Sequence, residues 1–390
     1  MSVRIIHVGL GGWGGNWART AIPEVSEVQV VGIVDPSAPT LEAVRTDLGL
    51  PASAAFASLT EALATVEADA VVITAPAVTH VPLALEALEA GKHVLVEKPF
   101  ANTTDEAVTA VRRAEELGLV LQVSQNYRWY PAPRVVQEML EADVVGEVSA
   151  INVDFRQWDN DQPAETYPHY RFLHAMINDM AIHHFDLLRM ITGQEAVRVF
   201  AKASYPAYSK YQDEAVASMI IELDGGTVVN YRGSWLSRGP RTAWAGEWSI
   251  EGEDGEVWFT SRDGEPNAVA GDRVTVRRTQ DDEAEVVELP VLAHTDRQGG
   301  LQAFARSVQG GPAPETSGRD NLRSLALMEA AGRSRGVRPA RGRRRPVLTA
   351  PTDGLEARGG ARTAPPGRRR SLHRVGDLSR SPTVHASERP

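Results

Sequence analysis

Through residue 125 the chain alternates between two hydrophobic textures. Short, near-continuous apolar runs rich in β-branched residues occupy 4–8, 28–34, 70–74, 93–96 and 120–123. Runs of this kind predict strands buried on both faces, as in a parallel sheet. Between them, at 17–22, 41–48, 59–66, 81–90 and 104–117, lie Ala/Leu/Glu-rich stretches with apolar residues at helical spacing. Thr40 before Leu41, and Thr103 with Glu106 three positions on, read as helix N-caps. Strand–helix alternation at this period predicts βαβ units and a doubly wound sheet of the Rossmann type.

Beyond Tyr127 the texture changes. A helix at 132–141 leads to a strand near 147–155, and a long helix at 177–191 ends at Gly193. Alternating, antiparallel-looking strands fill 197–289, with Asp224-Gly225-Gly226 as a hairpin turn. Two helices, at 296–309 and 318–331, close the pattern. The expected class is α/β: a doubly wound Rossmann domain over 1–125, then an α+β domain with a large, mostly antiparallel sheet over 126–333.

From residue 334 the pattern collapses into Arg, Pro and Gly. This stretch reads as a tail that buries too little apolar surface to fold. It carries 14 arginines, no lysine and 4 acidic residues, a composition that also suits translation of a GC-rich gene in another frame. The net charge of -10 therefore hides an asymmetry, because the first 333 residues hold 27 basic against 47 acidic side chains. An acidic body repels nucleic-acid phosphates, which argues against a nucleic-acid partner. The absence of cysteine excludes disulfides and thiolate chemistry. With no long uncharged apolar run and no signal-peptide pattern, a cytoplasmic protein away from membranes is expected.

The first strand runs into Gly9-Leu10-Gly11-Gly12-Trp13-Gly14, a G-x-G-x-x-G pattern at Gly9, Gly11 and Gly14. Gly9 permits the tight turn, Gly11 the close approach of a pyrophosphate, and Gly14 close packing of helix on strand. Asp35 ends the second strand, 21 residues after Gly14, where a carboxylate accepts from ribose hydroxyls. That acid would repel a 2′-phosphate, and the next arginine is Arg45, so NAD is expected rather than NADP.

Three further motifs follow in order: Thr74-Ala75-Pro76 with His80, Ala90-Gly91-Lys92-His93-Val94-Leu95-Val96-Glu97-Lys98-Pro99, and Asp179-x-x-x-His183-x-x-Asp186. Glu97-Lys98-Pro99 falls at the carboxyl end of a parallel strand, the edge where such sheets bind ligands. Asp179, His183 and Asp186 share one face of the predicted helix. Two adjacent histidines pointing apart make no metal site, and none is expected.

Together these motifs resemble the glucose–fructose oxidoreductase / inositol dehydrogenase / rhizopine-catabolism oxidoreductases, over about residues 3–333. The resemblance implies hydride transfer between nicotinamide and a sugar, inositol or related polyol. It makes His183 the proton acceptor, Lys98 the group holding the reacting oxygen, and Asp179 the residue that orients substrate hydroxyls and His183. It puts Gly9, Gly11, Gly12, Trp13, Gly14, Asp35, Thr74, Ala75, Pro76, His80, Glu97 and Lys98 around the cofactor. Substrate contacts are expected among Asn126, Tyr127, Arg128, Arg156, Asn178 and Asp186, with His169 also preceding the catalytic helix. Where many relatives carry a glycine run, Met176-Ile177-Asn178 stands here, which bears on subfamily and substrate. The resemblance also implies a homodimer or homotetramer formed through the second domain's sheet. Two other readings fit the same scaffold: a glycosidase that retains its NAD, and a non-catalytic sugar or redox sensor.

Overall fold

The computed structural model describes residues 2–264 and 268–334. Val3–Val8 (β1), Val28–Val34 (β2), Ala55–Phe56 (β3), Ala70–Ile73 (β4), His93–Glu97 (β5) and Leu121–Ser124 (β6) form a parallel sheet in the order β3-β2-β1-β4-β5-β6. The order reverses between β1 and β4, and in open α/β sheets that switch point opens the ligand crevice. β3 escaped the sequence pattern because two residues carry no period. Helices Gly12–Asn16 (α1), Ala38–Asp47 (α2), Leu59–Thr65 (α3), His80–Glu89 (α4) and Thr104–Leu117 (α5) connect the strands. The Thr103 hydroxyl caps α5 by accepting from Glu106 N at 3.3 Å. In α2 the expected cap moves: Ser37, not Thr40, receives the first-turn amide, and the helix starts three residues earlier.

The second sheet has eight strands: Val148–Arg156 (β7), Ala196–Ser204 (β8), Val216–Leu223 (β9), Val228–Ser234 (β10), Glu247–Gly252 (β11), Gly255–Thr260 (β12), Arg273–Arg277 (β13) and Glu285–Val286 (β14). Only the β7–β10 pair is parallel. The β9–β10 hairpin turns where Asp224-Gly225-Gly226 predicts it, with Leu223 N bonded to Thr227 O. One face of this sheet is covered: the Phe155 ring of β7 lies 5.5 Å from His184 of helix Ile182–Thr192 (α7). The other face is open, and Phe200 and Ile220, cross-strand neighbours on it, are 63% and 48% exposed.

The predicted long helix is two elements. Ala175–Ala181 winds as a π-helix and only then does α7 begin. The wider π turn changes the angular register between Asp179 and the residues that follow it. α7 ends, as expected, at left-handed Gly193.

Helix Pro131–Glu141 (α6) bridges into the second sheet, and helices Asp296–Val308 (α8) and Gly318–Ser334 (α9) return to the first. Leu301, Phe304 and Ala305 of α8 share a core with Val3, Ile5, Trp17 and Leu95. Val123 N of β6 donates to Thr316 O at 2.9 Å. The first sheet's core is thus completed from the far end of the chain. The tail from residue 335 lies outside the described residues. Among those described, no helix is long and apolar enough to cross a membrane.

A buried ion network pins the junction. Arg128 meets Asp186 of α7 through two parallel contacts of 2.6 and 2.8 Å, and reaches Asp320 of α9 at 2.9 Å. Arg189 joins Asp320 to Glu195. Arg128→Met strands Asp186 without its cation, and removing one partner of a buried pair costs on the order of 3–5 kcal/mol. Chemical denaturation is expected to show a loss of that size, whereas Val291→Ser, at a fully exposed position, changes stability by less than about 0.5 kcal/mol.

Candidate active site

Two of the three fingerprint glycines are packed against the fold, while the third, Gly11, and its neighbour Gly12 face open space. Gly9 has φ +86, and a Cβ there would fall 2.5 Å from the Ala75 backbone. At Gly14 it would fall 1.8 Å from Gly9 O. At Gly11 and Gly12 it would meet nothing within 4 Å. The result is an open cradle over the start of α1, whose first amides have no partner within the helix. This arrangement fits a dinucleotide pyrophosphate. Asp35, at the end of β2, accepts from Leu10 N and Ser37 N, each at 2.8 Å. Each of its oxygens keeps a lone pair for a further donor.

The neighbouring candidates brace this loop. Thr74 donates its hydroxyl to Gly9 O at 2.6 Å. The His80 ring lies between Ala75 O and Pro99 O, at 2.8 and 2.9 Å, and because burial lowers its pKa the neutral ring donates to one of the two carbonyls. Glu97 Oε1 accepts from the indoles of Trp13 and Trp17, at 3.0 and 2.8 Å, and from Ser124. Glu97 and Trp13 therefore hold each other, and Trp13 stays 40% exposed beside the cradle.

Lys98 leaves the edge of β5 and crosses to the second sheet's helical layer. Its Nζ lies 2.7 Å from Asp179 Oδ1 and 3.0 Å from Asp179 O. Burial works against the ammonium, but the Asp179 carboxylate outweighs it and raises the lysine pKa. Burial likewise disfavours ionised Asp179, yet Lys98 and His169 hold that carboxyl well below its usual range. The second oxygen of Asp179 is 3.1 Å from His169 Nε2, and no hydrogen bond joins Asp179 to His183. The proposed orienting of His183 falls instead to Tyr127, whose ring stacks on the imidazole at 4.1 Å and 6°. His183 Nδ1 is buried and without a partner. Burial, then the charges of Lys98 and Arg262, push the His183 pKa well down, so the ring is neutral.

Other sequence candidates go elsewhere. Asp186 and Arg128 are paired with each other in the ion network. Asn126 donates its amide to buried Asp296. Arg156 alternates with Phe155 along β7 and so projects from the open face, where it meets Asp154 and Glu247. That periodicity removes it from Lys98 and Asp179. Half-buried Asn178 precedes Asp179 on the π-helical stretch.

Sequence patterns did not expose Asp159, Tyr211, Arg262 or Asp296, which lie on irregular segments, just beyond a strand end or, for Asp296, at the first position of α8. Asp159 Oδ2 lies 2.7 Å from His169 Nδ1 and accepts from the Tyr211 hydroxyl at 2.5 Å. Arg262 donates to the Tyr127 hydroxyl at 3.1 Å, and its guanidinium lies over the same ring. Backbone strain marks the place: among the described residues, positive φ without glycine occurs at Asp143, His174, Arg262 and Asp296. The last two belong to this cluster, and His174 opens the π-helix that carries Asp179. Such conformations persist where surroundings over-determine them.

A glycine cradle at the switch point, with a paired lysine and a neutral histidine beside it, defines a dinucleotide-binding oxidoreductase. Residues 3–125 match the oxidoreductase family with an NAD-binding Rossmann fold, and residues 133–258 match the GFO/IDH/MocA C-terminal domain. The chain belongs to the GFO/IDH/MocA oxidoreductase family. It is 27% identical over 344 residues to the uncharacterised protein y4oX of Sinorhizobium fredii, covering 85% of this chain and 93% of that one. It is 27% identical to the scyllo-inositol 2-dehydrogenase (NAD(+)) of Bacillus subtilis, covering 60% and 68%. Among solved structures, the WlbA dehydrogenase of Bordetella pertussis in complex with NADH and UDP-GlcNAcA aligns with a TM-score of 0.70 at 25% identity, covering 86% and 97%.

The glycine geometry separates binding from folding. Gly11→Asp puts a carboxylate into open space where phosphates enter, so NADH titration is expected to show affinity weakened more than tenfold, about 1.4 kcal/mol or more, at an unchanged melting temperature. Gly14→Val collides with backbone and is expected to lower both.

Proposed function

We propose that this chain transfers a hydride between NAD and a carbinol carbon of a sugar, inositol or related polyol. The observation that carries the reading is the Lys98–Asp179 pair formed between the two sheets beside neutral His183. NAD is favoured over NADP by Asp35, whose carboxylate at the end of β2 suits free ribose hydroxyls and repels a 2′-phosphate. Gly11 and Gly12 would hold the pyrophosphate, and the bound nicotinamide supplies the hydride acceptor or donor.

The chain's own residues then divide the remaining work. Lys98 is held charged by Asp179, and its ammonium has donors to fix the substrate oxygen and stabilise negative charge developing there. His183, uncharged, takes the hydroxyl proton during oxidation. The lowered proton affinity that keeps it neutral also makes its protonated form a ready donor in the reducing direction. Asp179 anchors Lys98 and offers its free lone pairs to neighbouring hydroxyls. The substrate class is supported by relatives named for inositol and for a UDP-linked sugar. No observation on this chain favours the glycosidase or the sensor.

We infer further that copies associate through the open face of the second sheet, a reading supported by its exposed Val197, Phe200 and Ile220.

Screening sugars and polyols for NAD reduction by the purified chain tests the main reading. With the best substrate, Lys98→Ala is expected to lower kcat roughly a hundredfold to ten-thousandfold while NADH affinity changes little. Equal losses of both would move Lys98 from chemistry to cofactor binding. Light scattering tests the association: Phe200→Glu with Ile220→Glu is expected to yield monomers, and a wild-type monomer would end that idea.

A further inference from the structure

His169 stands between two carboxylates. Its Nδ1 lies 2.7 Å from Asp159 Oδ2, and its Nε2 lies 3.1 Å from Asp179 Oδ2. An ionised carboxylate offers only lone pairs, so each contact is attractive only if the facing ring nitrogen carries a hydrogen. Both nitrogens carry one only in the imidazolium.

A tyrosine hydroxyl and three aromatic rings complete its surroundings. Tyr211, between β8 and β9, donates to Asp159 and lies 3.0 Å from His169 Nδ1. The rings of Tyr167, Phe172 and Trp235 meet the imidazole edge-on, at 6.0, 5.5 and 4.8 Å. The ionisable groups facing it are thus Asp159, Asp179, Tyr167 and Tyr211, with Lys98 beyond Asp179.

We propose that His169 is a positioning residue for hydride transfer: as an imidazolium it clamps Asp179 in the orientation that keeps Lys98 in the cleft, and it, not His183, sets the alkaline limit of turnover. The inference rests on the oxidoreductase reading above. Burial opposes the charge on His169, but the two carboxylates outweigh it and raise the imidazole pKa to about 9. The working form is therefore the protonated one, lost as pH rises through about 9. The clamp's contribution to stability follows the same sign: fully present below the ordinary histidine value of 6.5, and gone above about 9. A neutral ring donates to one carboxylate and turns a lone pair on the other, which releases Asp179 on one side.

Two measurements on the full chain decide the matter. Histidine-selective 15N labelling with a pH titration is expected to give one ring, absent in His169→Gln, with a midpoint near 9. The wild-type kcat/KM for the best polyol is expected to fall tenfold per pH unit above that midpoint. Asp159→Asn removes one carboxylate and keeps a hydrogen-bonding group of the same shape; limb and NMR midpoint should move together toward neutrality by about one unit or more. His169→Gln should abolish the limb and lower kcat more than it alters KM. A His169 signal titrating at or below pH 7, or a limb that Asp159→Asn leaves in place, overturns the proposal. If His169→Gln fails to fold, the wild-type titration and Asp159→Asn carry the test. If no polyol is turned over, the oxidoreductase reading falls, while the titration still decides the state of His169.

Discussion

A lysine ammonium taken out of water keeps its charge only where a carboxylate meets it, and here the carboxylate arrives from a different sheet. Lys98 is fixed by β5, whereas Asp179 is fixed by a π-helical stretch packed on the second sheet. Neither layer alone builds the site. The ion pair makes the relative placement of the two layers a condition for keeping a buried charge, and Arg128 with Asp186 repeats the device.

Around that pair the two histidines diverge because their surroundings differ in sign. His183 looks onto Lys98, Arg262 and the face of Tyr127, an environment that penalises a second proton. His169 looks onto two carboxylates, which reward one. A site that must hold negative charge on an oxygen and also accept a proton needs both kinds of surroundings within a few ångströms. The loop carrying Tyr211 and the π-helix start are fastened together by His174 with Asp213 and Glu214, so the acidic side of the arrangement is braced as well.

Much of this was legible in the chain. Hydrophobic runs of period one and 3.6 gave five of the first sheet's strands, because buried parallel strands and their covering helices leave dense local patterns. The hairpin at Asp224-Gly225-Gly226 and the stop at Gly193 were legible because left-handed glycines leave a local mark. Lys98, Asp179 and His183 were found through motif order, and they do gather. What stayed hidden has a common cause: pairing between segments far apart in sequence. The partnership of Asp179 with His169, and the burial of Arg128 against Asp186 and Asp320, depend on neighbours 10, 58 and 192 residues away. Arg156 illustrates the limit most simply: the strand was legible to Phe155, but the face that the next residue occupies depends on which side of the sheet α7 covers.

The return of α8 and α9 has a consequence for how the molecule is made. A ribosome delivers the six strands of the nucleotide-binding sheet first, yet the side chains of Leu301 and Phe304 that seal one side of that sheet emerge long afterwards. Until then Val3, Ile5 and Leu95 line an unsealed apolar wall in the nascent chain. The part of the protein that is synthesised earliest is thus among the last to be finished, and its growing intermediate presents the kind of sticky surface that chaperones recognise.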